Sequence, residues 1–287
     1  MKNNLFNSKF AKHSRFDFDF VGNIKNNYEW EILVEQFRKY DSKKEKVNTK
    51  EILIPKRIHQ IWLGRRELPL KYKRWGNSWK EQNPKWEYKL WNENNIKSLG
   101  IKGIDVYSKN INPGLRSDIL RYVILNKFGG LYIDTDFECL KPIPDDLLIY
   151  KFISGIIFNN KPSIANGMMM SVPNYKLIKK IIESINKSKI SNNIEDIILN
   201  SGPGILTKEY FKAAEFIKEE TLILPSNYFY PYPNFLLDKK SNKYKYITKE
   251  SIGIHHWEMS WMKGNLFNRI KNKLKRFKNE LEDRKYE

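Results

Sequence analysis

The chain is poor in cysteine, and this shortage limits its chemistry. Its 287 residues include one cysteine, Cys139, and four histidines. A single cysteine excludes an internal disulfide framework and a zinc site built from several cysteines, and it suits a reducing compartment. We expect Cys139 to be structural.

Long apolar runs are also missing. No segment approaches the roughly 20 apolar residues that cross a bilayer, and the polar N-terminal residues lack the apolar core of a signal peptide. We therefore expect a soluble or peripheral protein. Its expected location is the cytoplasm, either free or on the inner face of the membrane.

Acidic residues are outnumbered by basic ones. There are 33 Asp and Glu against 52 Lys and Arg, which gives a net charge of +19. This excess favours anionic partners, such as nucleotide phosphates, acidic glycans, anionic lipid surfaces or nucleic acid. The sequence contains no zinc-finger, helix-turn-helix or RNP-type pattern, so we expect no nucleic-acid partner. A hydrophobic fraction of 40% predicts a folded protein despite a mean hydropathy of −0.64.

The most informative stretch extends from Gly114 to Asp136. Apolar side chains recur there at helical intervals, at Leu115, Ile119, Tyr122 and Val123. The pair Gly129-Gly130 can end a helix, so the pattern predicts a helix over 115–128. A short strand is predicted over 131–136, with Asp134 and Asp136 on one face of an extended segment.

Carboxylates in this position suggest a divalent cation. In α/β sheets the ligand lies beyond the carboxyl ends of the strands, where two carboxylates can hold Mg²⁺ or Mn²⁺ against substrate phosphates. On the preceding helix Asp118 and Arg121 are three residues apart and share a face. The alternative is a solvated strand end with an ordinary surface ion pair.

The segments Ser117 to Tyr122 and Gly129 to Asp136 resemble the core of the DXD-containing sugar transferases of glycosyltransferase family 32. This family includes yeast initiating mannosyltransferases and bacterial capsule enzymes. The segments are also similar to the glucosyltransferase domains of large clostridial toxins. Two distant blocks, 58–64 and 255–261, strengthen the resemblance. It implies an α/β fold of the GT-A type, a Rossmann-like mixed sheet flanked by helices that binds a nucleotide sugar.

Three regions follow from this interpretation. Residues 1–50 are a mostly helical N-terminal extension, residues 51–262 form the GT-A catalytic domain, and residues 263–287 form a basic amphipathic helix. The C-terminal helix either lies on an anionic membrane surface or packs its apolar stripe on the domain.

The resemblance also implies donor-binding residues. Trp62, which follows Ile61 at the end of a predicted strand, is the candidate for stacking on the base, with a core position as the alternative. Asn166 is the candidate for a sugar hydroxyl, with a plain Asn-Gly turn as the alternative. Ser260 and Trp261 are candidates for the diphosphate. The donor-binding set is completed by Ile61, Asp118, Arg121 and Asp134.

A metal site is expected from the same blocks. Imidazole is a good Mn²⁺ ligand, and one of two adjacent histidines can complete a site that the acidic pair begins. Asp134, Asp136 and His255 are the predicted ligands of Mn²⁺ or Mg²⁺, and His256 remains an alternative to His255. His59, inside a predicted strand, is expected to be a hydrogen-bonded core residue.

Another candidate for contact with a sugar is the aromatic, proline-rich loop over 225–233. Its tyrosines are suited to stacking on a sugar ring, and a packed surface loop explains them equally well.

The expected reaction is retaining glycosyl transfer from a UDP- or GDP-sugar to a glycan, glycolipid or protein acceptor, in polysaccharide or lipooligosaccharide biosynthesis. Asp118, Arg121, Asp134 and Asp136 are the predicted catalytic residues. A cation and Arg121 would stabilise the leaving diphosphate, while Asp118 and Asp134 hold hydroxyl groups. The alternatives are a toxin-like effector that glycosylates a protein and a metal-dependent phosphohydrolase.

Overall fold

A computed structural model describes most of the chain, namely residues 8–14, 28–43, 52–64, 67–101, 108, 110–157, 162–188, 191–233 and 242–258. The predicted donor residues Ser260 and Trp261 and the predicted helix 263–287 lie outside these residues. No helix in the described part of the chain combines the length and the apolar character that a membrane crossing needs.

Helices and strands alternate through the middle of the chain. The helices are α1 (Lys9–Ser14), α2 (Tyr28–Lys43), α3 (Leu70–Gln82), α4 (Pro113–Phe128), α5 (Lys176–Lys187), α6 (Ile194–Asn200) and α7 (Pro203–Ile217). The strands are β1 (Arg57–Ile61), β2 (Glu87–Trp91), β3 (Gly130–Ile133), β4 (Phe137–Cys139), β5 (Phe152–Ile156), β6 (Ile164–Ser171), β7 (Thr221–Leu224) and β8 (Gly253–His255).

Six strands form one mixed sheet in the order β2-β1-β3-β6-β5-β7. All neighbouring pairs are parallel except those that involve β6, which runs antiparallel to β3 and β5. The residues of β3, β5 and β6 are buried throughout, as expected for strands covered on both faces. The predicted α/β class, a Rossmann-like mixed sheet flanked by helices, is therefore confirmed.

Helix α4 is delimited by residues that the sequence identifies. The Asn112 side chain accepts a hydrogen bond from the amide of Gly114, and Pro113 occupies the first turn. At the other end Gly129 and Gly130 have φ values of 62° and 92°. A Cβ on Gly130 would lie 2.5 Å from the carbonyl oxygen of Arg57 on the neighbouring strand β1. Glycine is required there both for the turn and for the close strand contact.

Helix α5 packs against both α4 and α7, and α4 and α7 also contact the sheet. Helix α2 packs against the edge strand β7, where Gln36 donates to the carbonyl oxygen of Thr221 at 3.2 Å, and α1 packs against α2. Helices α1 and α2 lie in the region for which a mostly helical extension is predicted.

The last strand pairs away from the main sheet. Strands β4 and β8 form a two-stranded antiparallel ribbon in which Phe137 faces His255. The prediction of an extended segment through Asp136 was wrong, because β3 ends at Ile133 and the amide of Phe137 donates to the carbonyl oxygen of Asp134 at 3.2 Å. This turn takes the chain from the sheet into the ribbon.

Candidate active site

Asp134 lies directly beyond the carboxyl end of β3. Its backbone is fixed on both sides, since its amide donates to the carbonyl oxygen of Gly167 at 2.8 Å and its carbonyl oxygen accepts from the side chain of Gln60 at 3.1 Å. The Tyr132 hydroxyl donates to its Oδ1 at 2.6 Å. Because Tyr132 and Asp134 are two residues apart at a strand end, their side chains project on the same side.

Asp136 occupies the turn between β3 and β4, and its carboxylate is bonded at both oxygens. Oδ1 is 3.0 Å from Nε2 of His255, and Oδ2 accepts from the amide of Glu258 at 2.9 Å. The intervening Trp257 has a φ of 54°, which is uncommon for a bulky residue. The left-handed backbone conformation of Trp257 comes directly before Glu258, whose amide donates to the Asp136 carboxylate.

The imidazole of His255 is held by aromatic rings. It stacks on Phe137 with ring centroids 4.4 Å apart and contacts Trp257 edge-on at 4.0 Å. One ligand atom each of Asp134, Asp136 and His255 lies within 4.8 Å of the others. Their side chains are 27%, 13% and 10% exposed respectively, so the site opens to solvent at Asp134.

His256 faces a different set of residues. Its Nε2 is 3.0 Å from Oε2 of Glu138, and its ring stacks on Trp75 at 4.1 Å with an interplanar angle of 9°. Successive residues of a strand point to opposite sides. The geometry therefore places His255, and not its neighbour, with the acidic pair.

A buried guanidinium joins α4 to the strand end. Arg121 Nη2 is 2.9 Å from Oδ1 of Asp118 and 3.4 Å from Oδ1 of Asp134. Its Nη1 donates to the carbonyl oxygen of Asn166 at 2.8 Å, and the guanidinium carbon lies 4.7 Å from the centre of the Tyr132 ring. The predicted pairing of Asp118 with Arg121 on one helix face is present, but the pair is buried in the site and is not on the surface.

Asp118 receives two further hydrogen bonds. The side-chain nitrogen Nδ2 of Asn166 donates to Oδ1 of Asp118 at 2.9 Å, and the Ser201 hydroxyl lies 3.2 Å from Oδ2. Asn166 is inside β6, so the alternative of a plain Asn-Gly turn at this position was wrong. The predicted contact of Asn166 with a sugar hydroxyl stays a prediction, since its amide faces Asp118.

The carboxylates differ in the direction of their pKa shifts. Burial raises the pKa of Asp118 and, together with the nearby Asp136, the pKa of Asp134, while Arg121 opposes both shifts. Burial would raise the pKa of Asp136 as well, but His255 and the Glu258 amide outweigh it and lower this pKa. At neutral pH Asp136 is therefore the carboxylate most firmly held in its ionised form.

The residues present fit a hard or borderline divalent cation. Two carboxylates and an imidazole are donors that Mn²⁺ accepts, and Nε2 of His255 is the ring nitrogen that faces Asp136. The ring is anchored by packing on Phe137, so its orientation is fixed before any ion binds. Asp134, Asp136 and His255 would hold the ion.

Trp62 lies just past the end of β1 and is half-buried. Its ring is 5.2 Å from that of Tyr72 on α3, and its amide donates to the carbonyl oxygen of Trp91 at 2.8 Å. Ile61, the last residue of β1, is buried. Stacking of Trp62 on a base stays a prediction. His59, in the same strand, is a core residue as predicted, with Nε2 3.1 Å from the carbonyl oxygen of Gly129.

The aromatic loop is packed and does not present its rings to solvent. Tyr228, Phe229, Tyr230 and Tyr232 are at most 3% exposed. The Tyr230 ring contacts Phe137 at 5.2 Å and His255 at 5.7 Å. Of the two explanations for this loop, packing is therefore the correct one for the rings.

Sequence reasoning missed several residues of this site. Tyr132 could have been found, because it precedes Asp134 by two residues in the motif. Gln60, Gly167 and Tyr230 lie around Asp134 from other strands and loops, and no local pattern indicates that they meet there. The amide of Glu258 is a backbone contribution, which residue types do not reveal.

The sequence of this region matches a known family. Residues 69–153 match the family model for the glycosyltransferase sugar-binding region containing a DXD motif. The matched part includes Asp118, Arg121 and the Asp134-Thr-Asp136 motif, and it stops before Asn166 and His255. The match supports the predicted resemblance to the DXD-containing glycosyltransferases, and the mixed sheet with its acidic strand end agrees with the α/β fold predicted with it.

Individual relatives include proteins from yeast and from a bacterial pathogen. The chain is 30% identical over 162 residues to inositol phosphoceramide mannosyltransferase 2 of Schizosaccharomyces pombe, covering 53% of this chain and 45% of that protein. It is 28% identical over 176 residues to subversion of eukaryotic traffic protein A of Legionella pneumophila, covering 50% of this chain and 27% of that protein. The chain thus spans less than half the length of these two relatives.

Among solved structures, the chain is similar to the catalytic domain of alpha-toxin from Clostridium novyi. The TM-score is 0.46 at 13% sequence identity, and the similarity covers 92% of both chains.

Proposed function

We propose that this protein is a metal-dependent glycosyltransferase that moves a sugar from a UDP- or GDP-sugar to a glycan, glycolipid or protein acceptor with retention of anomeric configuration. The observation that carries the proposal is the convergence of Asp134, Asp136 and His255 beyond the carboxyl end of β3. This position is where ligands bind in open α/β sheets, and the DXD motif of the matched family supplies two of the three residues.

The charges of the site suit a diphosphate leaving group. A bound Mn²⁺ or Mg²⁺ would supply positive charge to the diphosphate as the bond to the sugar breaks. Asp136, with its lowered pKa, remains an anion that can ligate the ion at neutral pH. The Asp134 side chain is 27% exposed, so part of it is accessible from solvent.

Arg121 has a specific place in this proposal. Its guanidinium contacts two carboxylates and two backbone carbonyl oxygens, those of Asn166 and Ser117. We infer that its charge acts first by keeping Asp118 and Asp134 ionised and oriented toward the sugar. These contacts use four of the five guanidinium N–H groups, so the predicted direct contact of Arg121 with the diphosphate would use the second N–H of Nη1 or replace one of these bonds.

The relatives suggest which donor and acceptor to test first. One is named as a mannosyltransferase acting on inositol phosphoceramide, a lipid, and this favours GDP-mannose and a glycolipid acceptor. The second candidate is an effector that glycosylates a protein, which is favoured by the similarity to a Legionella protein named for subversion of eukaryotic traffic. Synthesis of polysaccharide or lipooligosaccharide uses the same donor chemistry.

The test is a screen of UDP- and GDP-sugars for Mn²⁺-dependent release of the nucleoside diphosphate. We expect one donor to be turned over, and Asp136→Asn to reduce turnover by at least about 100-fold because it removes a metal ligand. The matched control is Asp145→Asn, the same change at an exposed ion pair with Lys56, and it should leave turnover unchanged.

Two outcomes would contradict the proposal. Equal turnover in wild type and Asp136→Asn would remove the assignment of the metal site. Rapid hydrolysis of simple phosphate esters, without any requirement for an acceptor, would favour the phosphohydrolase alternative. A donor that is consumed much faster when an acceptor is added would instead support transfer.

A further inference from the structure

An ion pair with a buried arginine lies beyond the carboxyl end of β2. The Arg116 side chain, in the first turn of α4, is 2% exposed, and its Nη1 and Nη2 donate to the two carboxylate oxygens of Glu93 at 2.8 Å each. Glu93 follows the last residue of β2 by two positions. Two parallel hydrogen bonds of this kind fix the orientation of both side chains.

Glu93 also holds the chain that follows β1. Its Oε1 accepts a hydrogen bond from the amide of Gly64 at 3.1 Å. Gly64 has a φ of 113°, which other residues rarely adopt, so the glycine sets the direction of this amide. The amide of Trp62 donates to the carbonyl oxygen of Trp91, the last residue of β2, at 2.8 Å. Segment 62–64 is therefore tied to the end of β2 at both of its ends.

Segment 62–64 borders the crevice of the candidate active site. Strands β1, β2 and β3 run parallel, so their carboxyl ends lie along one edge of the sheet, and β1 is the direct neighbour of β3. In the proposed function the sugar lies by Asp118, Asp134 and Asn166, on the β3 and β6 side. The β1 side is then left for the nucleoside, and the ring of Trp62 on that side is only half-buried.

Helix α4 reaches both sides of this crevice. Successive residues of a helix are about 100° apart, so the side chains of residues 116 and 118 leave the helix about 200° apart. Arg116 accordingly reaches Glu93 beyond β2, whereas Asp118 accepts a hydrogen bond from Asn166 of β6 at 2.9 Å. One turn of this helix thus fixes a group on the nucleoside side and another on the sugar side.

We propose that Arg116 is a positioning residue for the nucleotide, and that its ion pair with Glu93 holds segment 62–64 so that the Trp62 ring stacks on the base of the donor. The inference rests on the proposed function, because it assigns the base to the β1 side of the site. Arg116 acts without touching the donor, since its side chain is buried. Its effect passes through Glu93 and the amide of Gly64.

The first variant is Arg116→Lys, which keeps a positive charge but cannot form two parallel hydrogen bonds to a carboxylate. The probe is UDP or GDP, whichever binds the wild type more tightly, in calorimetry with Mn²⁺. We expect the variant to weaken nucleotide binding by about 10-fold, because a displaced ring stacks poorly. Equal affinity in the two proteins would overturn the inference.

Binding of Mn²⁺ alone separates this role from a general structural one. The predicted metal ligands lie at the end of β3, in the following turn and on β8, away from the ion pair of Arg116. We therefore expect Arg116→Lys to leave Mn²⁺ affinity within about twofold, measured by the electron paramagnetic resonance signal of the ion. A loss of Mn²⁺ affinity as large as the loss of nucleotide affinity would show a disturbance of the whole site and would overturn the inference.

Glu93→Asp is the second variant and covers the case in which Arg116→Lys does not fold. Its side chain keeps the charge but is shorter by one methylene group, so we expect it to lose either the Arg116 fork or the Gly64 amide, with the same effect on nucleotide binding. The matched controls are Arg57→Lys and Glu87→Asp. They make the same changes in an exposed ion pair at the amino ends of β1 and β2 and should leave nucleotide binding within about twofold.

A double-mutant cycle tests the route through Trp62. Trp62→Ala removes the ring, and we expect it to weaken nucleotide binding by about 10-fold or more, as for the loss of one stacked base. If Arg116 acts by placing this ring, adding Arg116→Lys to Trp62→Ala should weaken binding by less than about twofold further. A further loss of about 10-fold would show that Arg116 acts independently of the ring and would contradict the inference.

The outcomes separate this inference from the proposed function. If the wild type neither binds UDP or GDP nor turns over any of their sugars, both fail. If the wild type turns over a nucleotide sugar while Trp62→Ala or Arg116→Lys binds the nucleotide as tightly as wild type, only the positioning role of Arg116 fails.

Discussion

The two halves of the candidate site are built differently. In the α4 half, Asp118 and Asp134 share the buried guanidinium of Arg121. In the β8 half, Asp136 is held by the imidazole of His255 and by the backbone amide of Glu258. The pKa is raised for both carboxylates of the first half and lowered for the carboxylate of the second.

This difference assigns two requirements to the two halves of the site, namely the stability of the folded chain and the affinity for a metal ion. The α4 half depends on one cation that is already part of the protein, and removing that cation would leave buried carboxylates without a counter-charge. In the β8 half, aromatic rings and a backbone amide hold an imidazole and a carboxylate in place. This arrangement suits an ion that binds reversibly. We therefore expect changes in the first half to alter stability most, and changes in the second to alter metal affinity most.

The largest effect should come from Arg121→Met. It leaves the buried Asp118 and the partly buried Asp134 beside each other without their cation, so we expect a loss of about 3 kcal/mol or more in the free energy of unfolding. Urea denaturation at neutral pH measures it. Arg38→Met, which removes an exposed guanidinium paired with Glu35, is the control and should change little. An Arg121 variant as stable as the control would show that the carboxylates do not need this counter-charge.

His59, a buried histidine whose hydrogen-bond partners are neutral, provides a reference for the comparison between the two halves of the site. Burial lowers the pKa of His59 to about 4, and its ring nitrogens face the carbonyl oxygen of Gly129 and the indole N–H of Trp91. The unfolded chain takes up the proton below about pH 6.5 while the folded chain does not, so stability should fall as pH drops from about 6.5 to 4, by about 3 kcal/mol in total.

The measurement for His59 is urea denaturation of wild type and His59→Gln across this pH range. Glutamine keeps a donor and an acceptor but does not titrate, so the variant should lose less stability on acidification. Parallel profiles for the two proteins would mean that His59 does not contribute to the pH dependence.

The adjacent histidines allow a comparison within the β8 half. His255→Gln should weaken Mn²⁺ binding by about 100-fold, because it removes a predicted ligand. His256→Gln should weaken it by about 10-fold or less, as expected for a residue that acts through its neighbours. Binding followed by the Mn²⁺ electron paramagnetic resonance signal measures both. A larger effect at His256 would transfer the ligand role to that residue.

Much of the α4 half was predictable because its geometry is local. The cap at Asn112, the glycine pair at its end and the three-residue spacing of Asp118 and Arg121 determine which side chains share a helix face. The apolar segment before Asp134 identifies a buried strand that ends in a carboxylate. These relations depend on helical and strand periods, which the order of residues sets directly.

The β8 half required the tertiary structure. Asp136 and His255 are 119 residues apart, and only the register of β4 against β8 selects His255 over the adjacent His256. The same applies to Tyr230 and Gly167, which meet Asp134 from a loop and from another strand. The sequence by itself determined which residues share a face within each element. The packing of distant elements decided which of those faces meet, because such contacts follow from the whole core and not from any local period.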